Sequence, residues 1–209
     1  MALYQTIRNN DWSLALWKVE ESVEELLQIT LPSVKLKAEI DSFSRENRKI
    51  EKLVATHLAN TLCLRSVEIG YYSSGAPFIV DSDMKISITH TQGWVAVQIS
   101  TQFQPGIDIE YKSDRILRIA HKFVSTSELN YVEENNKVDY FNIIWCSKEV
   151  LFKVAQREGV DFIENLLVSS FTLSNGGRVK GTCRFNAFED GYLLEYLITD
   201  DWYLVYRVK

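Results

Sequence analysis

Cysteine is scarce in this sequence and indicates neither a disulfide framework nor a metal site. The 209 residues include three cysteines, Cys63, Cys146 and Cys183, which are far apart and form no CxxC pair. An odd number of separated cysteines is typical of free thiols in a reducing compartment. We therefore expect a cytoplasmic protein whose cysteines stay reduced and bind no metal.

Long apolar runs and an excess of positive charge are also missing. No stretch approaches the roughly 18–20 apolar residues of a membrane span. Residues 1–5 lack the basic and apolar regions of a secretory signal, so we expect neither a signal nor a membrane partner. The net charge of −5 argues against a general nucleic-acid binder, and a polyanionic ligand would need a local basic patch.

The composition is that of an ordinary globular protein, with 46% hydrophobic and 24% charged residues. A chain of this length forms one large domain or two small ones. In the first half, periodicity and turn signals predict a strand at 12–19, a helix opened by a capping box of Ser22 and Glu25, a long helix at 42–64, and strands at 67–71, 78–80, 85–90 and 94–100.

The second half repeats this plan. The pattern predicts a strand at 107–110, helices at 113–123 and from Ser125 (capped with Glu128), a long helix at 140–158 ended by Gly159, and strands at 167–173, 178–188, 192–199 and 202–208. The pairs Asn175-Gly176 and Asp190-Gly191 predict hairpin turns.

The repeated plan predicts an α+β fold with two similar halves, residues 1–102 and 103–209, each with helices packed on an antiparallel sheet. We expect a pseudo-twofold to relate the halves, so that the chain is a pseudo-dimer by itself and stays monomeric. Clefts between domains are favoured ligand sites, and we expect the active site there, with its metal ligands on the second half.

Two carboxylates share one face of the strand at 107–110. Side chains two apart in a strand point the same way, so Asp108 and Glu110 face together while Ile107 and Ile109 face a core. Adjacent carboxylates repel unless a cation, a shared proton or solvent relieves them. Oxygen ligands on a rigid element suit Mg²⁺, which often binds one or two carboxylates plus substrate phosphates.

The long helix of the second half offers a third carboxylate and a cation. Glu149 and Lys153 are four residues apart and lie on one helix face. Each segment alone also has a simpler interpretation, since an acidic strand is usually a solvated sheet face and such a pair is usually a surface ion pair. If strand and helix meet, however, they form an acidic site with a lysine beside it.

The two segments together resemble a known family. G-I-D-I-E at 106–110, followed about forty residues later by W-x-x-K-E-x-x-x-K at 145–153, resembles the 4′-phosphopantetheinyl transferases, and most closely the long single-chain type that activates surfactin synthetase. The resemblance implies an enzyme of the holo-[acyl-carrier-protein] synthase type. It would move phosphopantetheine from coenzyme A to a serine of an apo acyl or peptidyl carrier protein and release adenosine 3′,5′-bisphosphate.

The resemblance also implies roles for these residues. Asp108, Glu110 and Glu149 match the family's Mg²⁺ ligands, and Asp108 counts among the catalytic and coenzyme A-binding residues. The base that activates the serine is either Glu149 or a metal-bound water that it positions. Lys153 would bind coenzyme A and neutralise its phosphate or assist the leaving oxygen.

Other stretches match the family's coenzyme A contacts. Thr89-His90 resembles a Ser-His pair that meets the pyrophosphate. Gly75 and Pro77 belong to a turn that resembles Gly-Lys-Pro near the adenine, with Ala76 in place of the lysine. Arg48, in a basic run of the long helix, matches an arginine that serves the 3′-phosphate.

In relatives, the region at 121–131 helps to receive the carrier, which makes Phe123, Leu129 and Tyr131 candidates for a docking surface. Two other functions stay open. One is another Mg²⁺-dependent phosphate enzyme, such as a nucleotide pyrophosphohydrolase. The other is a degenerate relative that binds coenzyme A or a carrier without transfer, which Ala76 and Thr89 motivate.

Overall fold

Strand pairs are antiparallel throughout residues 3–186 and 188–209, the part of the chain that the computed structural model describes. Helices separate the strands along the sequence, so the fold is α+β, as predicted. Contacts divide the chain into two units, one ending at Gln102 and the other beginning at Phe103. Within the described residues, no helix has the length and apolar character needed to span a membrane.

The first unit has a four-stranded sheet, a two-stranded sheet and three helices. Its elements are β1 (Leu3–Arg8), β2 (Trp12–Lys18), α1 (Val23–Thr30), α2 (Val34–Ser42), α3 (Glu46–Cys63), β3 (Ile69–Tyr71), β4 (Pro77–Ile79), β5 (Lys85–Thr91) and β6 (Trp94–Ser100). The larger sheet has the order β1-β2-β6-β5, and β3 pairs with β4.

Helix α3 organises the first unit. Its buried residues, which include Leu53 and Leu58, pack in one core with side chains of β2 and β6. The charged residues Arg48, Glu51 and Lys52 come just before Leu53 in the same helix. A helix held by its apolar face thus positions a group of charged side chains.

The second unit has one five-stranded sheet and three α-helices. Its elements are β7 (Ile107–Tyr111), α4 (Arg115–Ile119), α5 (Thr126–Leu129), α6 (Lys137–Ala155), β8 (Leu166–Val168), β9 (Gly176–Phe185), β10 (Phe188–Ile198) and β11 (Trp202–Arg207). The strand order is β7-β11-β10-β9-β8, so the first and last strands are direct neighbours.

Helix α6 packs on this sheet, and two glycines allow a close approach. A Cβ atom at Gly106 would lie 2.8 Å from the carbonyl oxygen of Val150, and one at Gly181 would lie 2.8 Å from a methyl group of Leu151. Both distances are shorter than real contacts of a Cβ atom. The glycine of the G-I-D-I-E segment is therefore required by the packing of α6 against the start of β7.

Arg207, at the end of β11, contacts the residues at the start of the second unit. Its guanidinium lies 4.5 Å from the ring centre of Phe103 and 4.6 Å from that of Tyr192. Its Nη1 donates a hydrogen bond of 3.0 Å to the carbonyl oxygen of Gln104. Because a guanidinium stacks well on aromatic faces, these contacts attach the residues before β7 to the last strand.

Both long helices differ in their limits from the prediction. Helix α3 begins at Glu46, and a separate helix, α2, precedes it because the backbone at Phe43 is extended. Helix α6 starts at Lys137 and ends at Ala155, where Gln156 adopts a left-handed conformation with a φ of 48°. Gly159 therefore does not end the helix.

The predicted capping boxes are confirmed, whereas the two predicted hairpin turns are wrong. The serines at 22 and 125 each accept the N–H of the glutamate three residues on, and that glutamate accepts the serine N–H. Asn175-Gly176 leads into β9, and Asp190-Gly191 lies inside β10. The long ladder between β9 and β10 outweighs the local turn preference of these pairs.

The two units share an order of elements. An early strand pairs with the last strand of the same unit, β2 with β6 and β7 with β11. A long helix, α3 or α6, lies between those strands in sequence and packs on them. Strand β1 has no counterpart in the sequence prediction; it is an exposed edge strand that pairs with β2. The pseudo-twofold itself stays a prediction.

Candidate active site

Strand β7 carries Asp108 between two core residues. Ile107 and Ile109 are fully buried in the second unit, and Asp108 is 5% exposed. Its Oδ1 accepts a hydrogen bond of 2.9 Å from the ammonium of Lys153 on α6. Lys153 also donates to the carbonyl oxygen of Ile107 at 2.8 Å. The strand and the helix therefore meet, and the lysine lies beside the first carboxylate.

Glu110, two residues along β7, contacts the first residue of the helix motif. The indole N–H of Trp145 donates to Glu110 Oε1 at 3.0 Å. The indole also stacks on Phe162 and meets the ring of Phe123 edge-on. The tryptophan of the W-x-x-K-E segment therefore orients a carboxylate, while its ring is held by aromatic neighbours.

Glu149 lies within the electrostatic field of these groups. Burial, followed by repulsion from Asp108, raises the pKa of Glu149 from 4.5 to about 7, although Lys153 acts in the opposite direction. Burial and Asp108 also raise the pKa of Glu110. The three carboxylates of β7 and α6 thus lie close enough to repel one another, and one lysine relieves them only in part.

This donor set suits a hard cation, because a cation would relieve the repulsion. As the side chains stand, however, no group of three His, Cys, Asp or Glu in the described part of the chain is placed to hold a metal ion. Asp108 accepts from Lys153 and Glu110 from Trp145. The chemistry of the residues fits Mg²⁺, and the ligand set of Asp108, Glu110 and Glu149 stays a prediction.

Lys148, next to Glu149 in the helix motif, contacts different residues from those that Lys153 contacts. It is fully buried, and its ammonium donates to Glu128 Oε2 at 2.8 Å and to the carbonyl oxygens of Phe123 and Phe162 at 2.6 and 2.8 Å. Glu128 also accepts the N–H of Val168 at 2.9 Å. The sequence analysis did not predict the contact between Lys148 and Glu128. It predicted only that Glu128 belongs to a capping box.

Cys146 is a buried neighbour of the site carboxylates. Its thiol is fully buried, close to Asp108 and Glu110. Burial first, and the nearby carboxylates second, raise the pKa of Cys146 well above its usual range. The group therefore stays a neutral thiol, which supports Asp108 without adding charge.

One candidate docking residue is internal. Phe123 is fully buried in the core of the second unit, so it cannot present a surface to a carrier. Tyr131 is partly buried and donates its hydroxyl to the carbonyl oxygen of Val168 at 3.0 Å. Leu129 is exposed, together with Leu117 of α4.

The first unit brings two of the predicted coenzyme A residues together. Glu51 Oε2 lies 3.2 Å from Arg48 Nη1, and Glu51 Oε1 lies 3.3 Å from His90 Nδ1. The carboxylate thus links a residue of α3 to a residue of β5. Sequence reasoning missed Glu51, because nothing local indicates that residues 51 and 90 meet.

Thr89 and His90 do not lie side by side. Consecutive residues of β5 point to opposite faces of the sheet; Thr89 is buried, and the imidazole of His90 is 43% exposed beside α3. A joint contact of the pair with one phosphate stays untested.

The remaining predicted residues, Gly75 and Pro77, belong to the hairpin of β3 and β4. Gly75 has a φ of 84°, which favours glycine, and Tyr71 pairs with Pro77. The ammonium of Lys52 on α3 lies 4.6 Å from the ring centre of Tyr71. The hairpin is thereby attached to the helix that carries Arg48.

Comparison with curated proteins found no matching relative. A comparison with protein families found one match, between residues 104–203 and the family described as the 4′-phosphopantetheinyl transferase superfamily. This stretch includes β7 and α6, and with them Asp108, Glu110, Glu149 and Lys153. Residues 104–203 are therefore similar to the 4′-phosphopantetheinyl transferase superfamily, and the matched stretch contains Asp108, Glu110, Glu149 and Lys153.

Proposed function

We propose that the protein transfers 4′-phosphopantetheine from coenzyme A to a serine hydroxyl of an apo carrier protein. The observation that carries this proposal is the contact of Lys153 with Asp108, beside the raised pKa values of Glu110 and Glu149, inside the stretch that matches the family. An acidic site with one cation suits transfer of a phosphoryl group between oxygens.

In the proposed reaction, the serine Oγ forms a bond to the phosphorus that bears the pantetheine arm. The bond from that phosphorus to the bridging oxygen of the pyrophosphate breaks, and adenosine 3′,5′-bisphosphate leaves. The serine proton passes to Glu149 or to a water that Glu149 orients. A carboxylate within reach of the hydroxyl can accept this proton as a general base.

Lys153 and the metal ligands would neutralise charge. Mg²⁺ held by Asp108, Glu110 and Glu149 would reduce the negative charge of the pyrophosphate. We assign to the ammonium of Lys153, which donates to Asp108 and to the carbonyl oxygen of Ile107, the role of neutralising the phosphate or assisting the leaving oxygen. Its position depends on the close approach of α6 to β7.

The nucleotide half of coenzyme A is assigned to the first unit. Arg48 and His90 supply the local basic patch that a polyanion needs on a chain of net charge −5. The turn at Gly75 and Pro77 and the hydroxyl of Thr89 are the other proposed contacts. We also predict that a pseudo-twofold relates the two halves and that the protein is a monomer located in the cytoplasm. We further predict that it is of the surfactin-synthetase-activating type.

Intact-mass measurement of apo carrier proteins, after incubation with coenzyme A and Mg²⁺, tests the function. The expected result is a gain of one phosphopantetheine group with wild-type protein and with Glu158→Ala, a change at an exposed acid of the same unit. Asp108→Ala should remove the gain. Release of adenosine 3′,5′-bisphosphate without a carrier would favour a pyrophosphohydrolase, and coenzyme A binding without any transfer would favour a degenerate relative.

A further inference from the structure

Glu51 contacts both of the basic side chains, Arg48 and His90, that the proposed function assigns to coenzyme A. One carboxylate oxygen lies 3.3 Å from His90 Nδ1 and the other 3.2 Å from Arg48 Nη1. The side chain of Glu51 is 25% exposed, against 63% for Arg48 and 43% for His90. The side chains of Arg48 and His90 are therefore both more exposed than the carboxylate that links them.

A cavity of about 470 Å³ opens beside this group within the first unit. Glu51 and His90 both line it, together with Asn47, Ile50 and Trp94. The volume lies in the range of small-ligand sites. An anion that enters the cavity toward the imidazole therefore also meets the negative charge of Glu51.

We propose that Glu51 is a built-in counter-ion that a phosphate group of coenzyme A displaces, and that it thereby lowers the affinity of this subsite. The inference rests on the proposed function, because it takes Arg48 and His90 as phosphate ligands. It adds a residue to the subsite and gives that residue a negative effect on binding.

The charges around Glu51 determine whether this residue raises or lowers the affinity for a phosphate group. A guanidinium has five N–H groups, and the contact with Glu51 engages Arg48 through Nη1, so donors remain for a phosphate. The ion pair is exposed, and losing such a pair costs little. A phosphate bound at Arg48 or at His90 would lie close to the Glu51 carboxylate, whose like charge repels it.

The substitution Glu51→Gln removes the negative charge of the side chain but keeps its shape. The amide oxygen of glutamine still accepts a hydrogen bond from His90 Nδ1, while the negative charge is removed. Isothermal titration calorimetry with coenzyme A and with adenosine 3′,5′-bisphosphate needs neither Mg²⁺ nor a carrier. We expect Kd to fall roughly threefold or more at low salt, and by less at high salt, because salt screens exposed charges.

Two controls isolate the effect. Glu46→Gln removes the same charge from an exposed position in the first turn of α3 and should change Kd little. Pantetheine, which has no phosphate, should bind wild type and Glu51→Gln equally. An equal tightening by Glu46→Gln would show a general charge effect and overturn the assignment to Glu51.

The outcomes also separate this inference from the proposed function. If wild-type protein does not bind coenzyme A, the proposed function fails, and this inference fails with it. If wild type binds and transfers phosphopantetheine but Glu51→Gln binds equally or more weakly, only the counter-ion role is overturned.

Discussion

Replacing Glu149 by glutamine should stabilise the metal-free protein at pH 8 and do so much less at pH 5. The folded protein holds the Glu149 proton up to a pKa of about 7, against 4.5 ordinarily. The folded state therefore binds more protons than the unfolded state between these values. Because stability falls with rising pH where the folded state binds the extra proton, ionised Glu149 costs stability above about pH 7.

The size of this cost follows from the two pKa values. The difference between 4.5 and about 7 corresponds to about 3 kcal/mol, at roughly 1.36 kcal/mol for each pKa unit. Solvent at a partly exposed carboxyl screens part of this, so about 3 kcal/mol is an upper limit. Most of the cost disappears by pH 5, where the folded protein keeps the proton.

Urea denaturation in the presence of a chelator measures the effect. The free energy of unfolding of Glu149→Gln minus that of wild type should be larger at pH 8 than at pH 5 by up to about 2–3 kcal/mol. Glu158→Gln, at an exposed acid three residues after the end of α6, should show no such pH dependence. A Glu149→Gln difference that is the same at both pH values would refute the raised pKa of Glu149 in the folded protein.

Three further changes test other parts of the molecule. In steady-state kinetics, Arg48→Ala should raise KM for coenzyme A with a smaller effect on kcat, because uniform binding is lost; a large fall in kcat alone would contradict this. In low-salt calorimetry, Ala76→Lys should tighten coenzyme A by only about 0.2–1 kcal/mol, and no change would place the turn away from the nucleotide. In thermal denaturation, Gly106→Ala should destabilise the second unit by about 1–3 kcal/mol through overpacking against Val150, and wild-type stability would show that α6 moves aside freely.

Sequence patterns predict the structure best where a feature depends on the residues of a single helix or strand. Alternation along β7 places Asp108 between buried isoleucines, and Ser22 and Ser125 start their helices through contacts within three residues. The helix spacing of Glu149 and Lys153 is similarly local. Each of these features depends on neighbours in the chain, so the pattern contains the necessary information.

The features that sequence reasoning missed depend on distant partners. Lys148 is charged, and charged residues are almost never fully buried unless paired, so nothing in its own segment predicts its place against Glu128. The contact of Glu51 with His90 joins residues 39 positions apart in the chain. The pair Asp190-Gly191 has the composition of a turn, yet lies within a strand because its ladder to β9 is long.

The contacts of Arg207 have a consequence for the C-terminal end of the second unit. Arg207 holds Phe103 and Gln104, and its strand, β11, is the direct partner of β7. The strand that carries Asp108 is therefore held in place by β11, through main-chain hydrogen bonds along its length, and by Arg207, through contacts with the residues that precede β7. A change that displaces β11 would therefore also displace Asp108, although the two are about a hundred residues apart in the sequence.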